Sequence, residues 1–133
     1  ENGISVRVKK FIDDPKLQAV YGGCYTQTLA ANGLTHYAGQ PVDPKRIINE
    51  EYINFTTLMY KRDLPFRFDG DLRYYFDWLF KIRLLCECPV DYVTDPVMIH
   101  TVHKGQETQQ CRILGMNAHD EKLMREKLST LYK

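Results

Sequence analysis

Residues 4–9 alternate apolar and polar side chains, with Ile4, Val6 and Val8 set against Ser5, Arg7 and Lys9. A period of two marks a strand with one face in the core and one in water, so the pattern predicts an N-terminal strand. Asp13-Asp14-Pro15 then reads as a helix start, because aspartate caps free N–H groups and the fixed φ of proline suits a first turn. That helix is interrupted at Gly22-Gly23 and ends at Asn32-Gly33. Residues 34–42 read as a connector or a short strand.

From Asp43-Pro44 the period changes. Ile48, Tyr52, Phe55 and Met59 recur at spacings of four, three and four, one apolar stripe over three helical turns. Lys61-Arg62 suit the negative end of this helix, and Pro65 stops it. Asp69-Gly70-Asp71 caps the next helix, which runs to about Cys86 and is apolar on nearly every side. Such a helix is central to a core or covered by a partner, and some of both is expected. Residues 89–96 read as a loop, and 97–114 as a hairpin turning at Lys104-Gly105-Gln106. A last helix begins after His119-Asp120, with Leu123, Met124, Leu128 and Leu131 inward. The sum is an α+β domain: a small antiparallel sheet, made of the N-terminal strand plus the C-terminal hairpin, packed by four or so helices.

Composition narrows the class. A chain of 133 residues suits one domain with one core, and a start at Glu1 reads as a single interaction domain excised or processed from a larger protein. Eighteen basic residues against 17 acidic leave a net charge of +1, which is no global footprint for nucleic acid or an anionic membrane. No apolar run reaches the roughly 18 residues that span a bilayer, so no membrane partner is expected. The four cysteines read as free thiols of an intracellular protein, in cytoplasm or nucleus, since a chain of this length builds a core without staples. Asn54-Phe55-Thr56 matches a glycosylation acceptor but falls inside a predicted helix, whereas acceptors favour surface loops.

Candidate chemistry is sparse. Cys86 and Cys88 have one residue between them, His100 and His103 have two, and both spacings are tighter than usual zinc knuckles. On a strand His100 and His103 point to opposite faces. No metal and no cofactor are therefore expected; were a metal present, Cys86, Cys88, His100 and His103 would hold it. In the predicted hairpin His103 stands opposite Glu107 with Lys104 beside them, a pair that suits a cross-strand ion pair or, with His100, a small hydrolase or nuclease. Cys24 comes directly after Gly22-Gly23, a setting that can expose a nucleophile. No Gly-x-Ser-x-Gly, His-Glu-x-x-His, P-loop or dinucleotide-binding motif occurs. Lys45 and Arg46 lie in a first helical turn, where cations are disfavoured, and mark a candidate anion site.

Basic residues interleaved with rings dominate 60–83. Tyr60, Arg62, Phe66, Arg67, Tyr74, Trp78 and Lys81 are the candidate partner-binding residues, since tyrosine, tryptophan and arginine dominate interface hot spots. The sequence therefore favours a non-enzymatic, regulatory or interaction domain that binds a protein partner or a second copy as a homodimer. Stacking of single-stranded RNA on the same rings is the alternative, and the His103–Glu107 hydrolase or nuclease is the other.

Overall fold

The computed structural model describes residues 2–28, 33–103 and 105–132, and the side chains of all of these except 107–109. In chain order the elements are α1 (Asn2–Asp13), β1 (Ala19–Thr28), β2 (Thr35–Tyr37), α2 (Pro44–Asn49), a single 3₁₀ turn (Phe55–Thr57), β3 (Met59–Tyr60), α3 (Phe76–Glu87), β4 (Val90–Val102), α4 (Glu107–Ile113) and α5 (Met116–Leu131). β4 runs parallel to β1 along its whole length, from Ala19 beside Val90 to Thr28 beside Val102. β2 and β3 pair antiparallel with the two ends of β1, at Cys24–Thr26 and Ala19–Val20. With β4 filling one edge of β1, β2 and β3 share the other edge end to end.

The α+β class expected from the sequence holds. The sheet, however, is mixed rather than purely antiparallel, and other segments build it. Residues 2–13 form a helix, not a strand. Ile4, Val8 and Ile12 also recur every four residues, and it is Arg7 that turns inward. Arg7 is 6% exposed, and its guanidinium donates to the carbonyls of Gly3 and Thr57, each at 2.7 Å. Desolvation pushes its pKa down. Ile4, Val8 and Ile12 are left facing out, 65%, 39% and 71% exposed.

Asp13-Asp14-Pro15 consequently ends α1 instead of starting a helix, because the residue before a proline leaves the helical region. The next element is the buried strand β1, whose Val20, Tyr21, Cys24 and Tyr25 have strand-forming side chains. Its glycines serve close approach rather than interruption. A Cβ at Gly23 would meet Tyr37 O, Gly39 N and Thr94 O, and one at Gly39 would overlap the Val93 carbonyl. Three backbone segments cross there, joined by the Gly39 N–H donating to Thr94 O at 3.1 Å. The predicted end of a helix at Asn32 lies outside the described residues.

The predicted helix over 44–61 stops at Asn49, because Glu50 is extended and the Asn54 side chain caps a separate 3₁₀ turn. The greasy helix is present as α3, but it begins at Phe76 rather than Asp71. The predicted loop 89–96 is the first half of β4. No hairpin comes after it: residues 107–113 are helical, so His103 and Glu107 are not cross-strand partners. Lys104 and the Glu107 side chain lie outside the described residues. α5 begins at Met116, after Gly115 in the left-handed region, and Leu131 is exposed rather than inward. No helix among the described residues is long and apolar enough to cross a membrane.

The core surrounds α3, with side chains from β1, α2, the segment from Ile53 to Leu72 and α5. Phe80 packs against Phe55, Tyr60, Phe66 and Phe68, with ring centroids 4.4–6.3 Å apart. From α5, the buried Asp120 carboxylate accepts from the Arg73 and Tyr74 amides at 2.8 and 2.7 Å, fixing the approach to α3. The Gly39 crossing gives a stability prediction. Gly39→Ala should cost on the order of 1–3 kcal/mol by overpacking, read as a lower urea midpoint with an unchanged m-value. Gly70→Ala, with no atom near its Cβ, should stay within about 0.5 kcal/mol of the parent.

Candidate functional site

A cavity of about 490 Å³ opens beside β1, a volume typical of small-molecule sites. β1 contributes Tyr21, Cys24 and Thr26, the chain after β2 contributes Gly39 and Gln40, and the segment from Glu51 to Thr56 runs along it. Tyr74, Tyr75 and Asp77 come from the start of α3 and the turn before it, His100 from β4 and Arg112 from α4.

Polar bonds, some buried and some exposed, fix these walls. The Tyr21 hydroxyl donates to Gln40 O at 2.6 Å, and burial pushes its pKa far up. Tyr52 donates to Pro41 O at 3.0 Å and accepts from Asp43 N at 2.9 Å. Arg112 Nε donates to the Tyr74 hydroxyl at 2.8 Å. The Lys81 ammonium, 1% exposed, donates to Glu51 Oε1 at 2.6 Å and to Ile53 O at 2.7 Å. Asp77 Oδ2 stands 3.9 Å from the same ammonium, and Asp77 Oδ1 accepts from Trp78 N at 2.9 Å.

The two carboxylates sit in different surroundings. Desolvation raises the Asp77 pKa from its ordinary value; Lys81 opposes this and the Glu51 charge adds to it. The Lys81 charge is directed mainly at Glu51 and Ile53, so it does not cancel the burial. A carboxyl with a raised pKa in a cleft, beside a second carboxylate held by a cation, is a candidate acid–base group.

The residues singled out from the sequence fall in several places. Phe66 and Trp78 are 5% and 6% exposed and, with Lys81, belong to the interior. Trp78 Nε1 donates to Ile47 O at 2.7 Å. They present no contact surface, because Trp78 on α3 packs toward α2 and Phe66, in the chain before α3, packs edge-on against Phe80. Tyr60, Arg62 and Arg67 are exposed outside the cavity, and Arg67 Nη1 donates to the carbonyls of Leu64 and Phe66. Only Tyr74 of that group lines the cavity.

At the candidate anion site the Asp43 carboxylate already accepts from the amides of Lys45 and Arg46. Arg46 is engaged by Glu50 at 2.9 Å and stacks on Tyr52. Cys86 is exposed on α3 and Cys88 ends it. His103 is exposed beyond β4, and His100 is in the cavity. Among the described residues no group of three or more metal-ligating side chains converges, and the four cysteines are free thiols.

Cys24 does line the cavity, beside Asn54 and His100. Sequence reasoning missed Glu51, Asn54 and Asp77 as site residues. One signal was present: Asp77 and Lys81 are charges one helical turn apart in the mostly apolar first half of that helix. Comparison with protein-family models, with curated proteins and with solved structures found no match to this chain.

The raised Asp77 pKa fixes a sign. A carboxyl that holds its proton more tightly when folded weakens the fold as pH rises from its unfolded value through the raised one. Asp77→Asn should therefore raise the melting temperature at pH 7. The gain should vanish on acidification below about pH 4, the ordinary aspartate range. Thermal melts of both proteins across this interval check it; an equal gain at every pH would refute the assignment.

Proposed function

We propose that this chain is the substrate-binding part of an enzyme in which Asp77 exchanges a proton with a hydroxyl-bearing small molecule held in the cavity. The carrying observation is the desolvated Asp77 carboxyl on the cavity wall, its pKa raised by burial while Lys81 holds Glu51 beside it. Proton transfer works best when a group's pKa lies close to the working pH, and burial moves an aspartate in that direction. Tyr21, Tyr52, Tyr74 and Tyr75 supply apolar faces with polar edges, a lining suited to an organic ligand with several hydrogen-bonding groups. This reading departs from a non-enzymatic domain because Phe66 and Trp78, two of the four rings expected to dock a protein or to stack RNA bases, are buried in the core.

Amide NMR spectra recorded with a library of hydroxylated metabolites test it. Ligands should shift the amides of Asn54, Tyr74 and Asp77 together. Any ligand consumed by the parent protein should still bind Asp77→Asn but be left unconverted. Undiminished turnover by Asp77→Asn, or ligands that map away from these amides, would rule the reading out.

A second reading, self-association, is favoured by one separate observation: the outward Ile4, Val8 and Ile12 face of α1. Apolar stripes of this kind mark interaction sites. Sedimentation should then give a dimer that Val8→Lys converts to a monomer with unchanged circular dichroism. A parent protein that is monomeric at every concentration refutes it.

A further inference from the structure

We propose that Asn54 fixes the neutral ring of His100 with its proton on Nε2, making it a hydrogen-bond donor to a carbonyl, carboxylate or phosphoryl oxygen of the cavity's ligand. This inference rests on the cavity being a ligand site and adds the chemistry of the ligand's second end.

The orientation of the Asn54 amide is set by its partners. Its Oδ1 accepts from the Thr56 backbone N–H at 3.0 Å and from the Thr56 hydroxyl at 2.7 Å. An amide's oxygen and nitrogen are told apart by such networks, so the NH₂ group faces the other way. There Nδ2 lies 3.1 Å from His100 Nδ1 and 4.0 Å from Cys24 Sγ. An NH₂ group only donates, so Nδ1 accepts. In the neutral ring the proton then sits on Nε2.

The sheet register places this group on the cavity wall. His100 is opposite Thr26 and Met98 is opposite Cys24 across the parallel β1–β4 pair. Side chains two apart on a strand share a face, and Cys24, Thr26 and His100 all line the cavity. Asn54 follows Glu51, the partner of Lys81, by three positions, so the chain between them spans at most about 10 Å. A metabolite-sized ligand that gives a hydroxyl proton to Asp77 can therefore also offer an acceptor oxygen to His100.

Long-range ¹H–¹⁵N spectra of the histidine rings, taken about two units above the ordinary histidine pKa, read the tautomer directly. The parent protein should show His100 protonated on Nε2. Asn54→Asp keeps an acceptor for Thr56 but puts a second acceptor oxygen against Nδ1, so the proton should move to Nδ1 with the fold retained. Inorganic phosphate and acetate, titrated separately into the parent protein, should each shift the His100 Nε2 resonance. A response to only one of them identifies the oxygen source and still supports the proposal. A Nδ1-protonated parent, a tautomer unchanged in Asn54→Asp, or no response to either anion overturns it. None of these results depends on the proton-transfer role of Asp77, which is decided separately by turnover in Asp77→Asn.

Discussion

The buried ammonium of Lys81 ties the irregular chain beside the cavity to the core. An unpaired charge inside a protein is costly enough that it must find partners or not be charged at all. Lys81 sits in the middle of α3 and finds Glu51 Oε1 and Ile53 O, both on a segment with no regular secondary structure. Those two bonds tie the irregular chain from Glu50 to Asn54 onto the most buried helix. Once that chain is tied, Asn54 can cap its turn and reach His100, and Glu51 stands beside Asp77. One cation in the core thus organises both ends of the cavity.

Other buried polar groups act in the same way and join elements that few regular hydrogen bonds connect. Arg7 links α1 to the carbonyl of Thr57, Tyr21 links β1 to Gln40, and Asp120 links α5 to the turn that precedes α3. Each replaces water around an otherwise unsatisfied backbone group, which is what makes its loss expensive. Between these anchors the packing is aromatic, centred on Phe80, with edge-on and tilted ring contacts that add to simple burial. The abundance of rings, which suggested an interface, is accounted for largely by this interior.

The cavity's chemistry is consistent with that economy. The Asp77 carboxyl is held where burial disfavours its charge, a local cost to stability that the aromatic core and the anchors offset. The opposite end offers a thiol, an imidazole and an amide on one face of the β1–β4 pair. Residues that are far apart in sequence, from Tyr21 to Arg112, reach this space because the parallel β1–β4 pairing brings chain ends separated by more than half of the molecule side by side.

Local patterns along the chain were enough to read the α+β class, the central apolar helix, the start of α2 at Asp43-Pro44 and the presence of a C-terminal helix. These are consequences of local rules of capping and periodicity, which the final structure obeys. Such patterns did not decide α1, where alternation over six residues and a spacing of four coexist, and where burial of Arg7 against Thr57 selects the helix. They did not decide β1, whose glycines look like a break until the crossing at Gly39 and Thr94 supplies their reason. Nor did they decide the site, since Glu51, Asn54, Asp77 and His100 have no motif spacing. Their meeting is set by one buried cation and one strand register, and both are properties of contacts between segments that no local pattern contains.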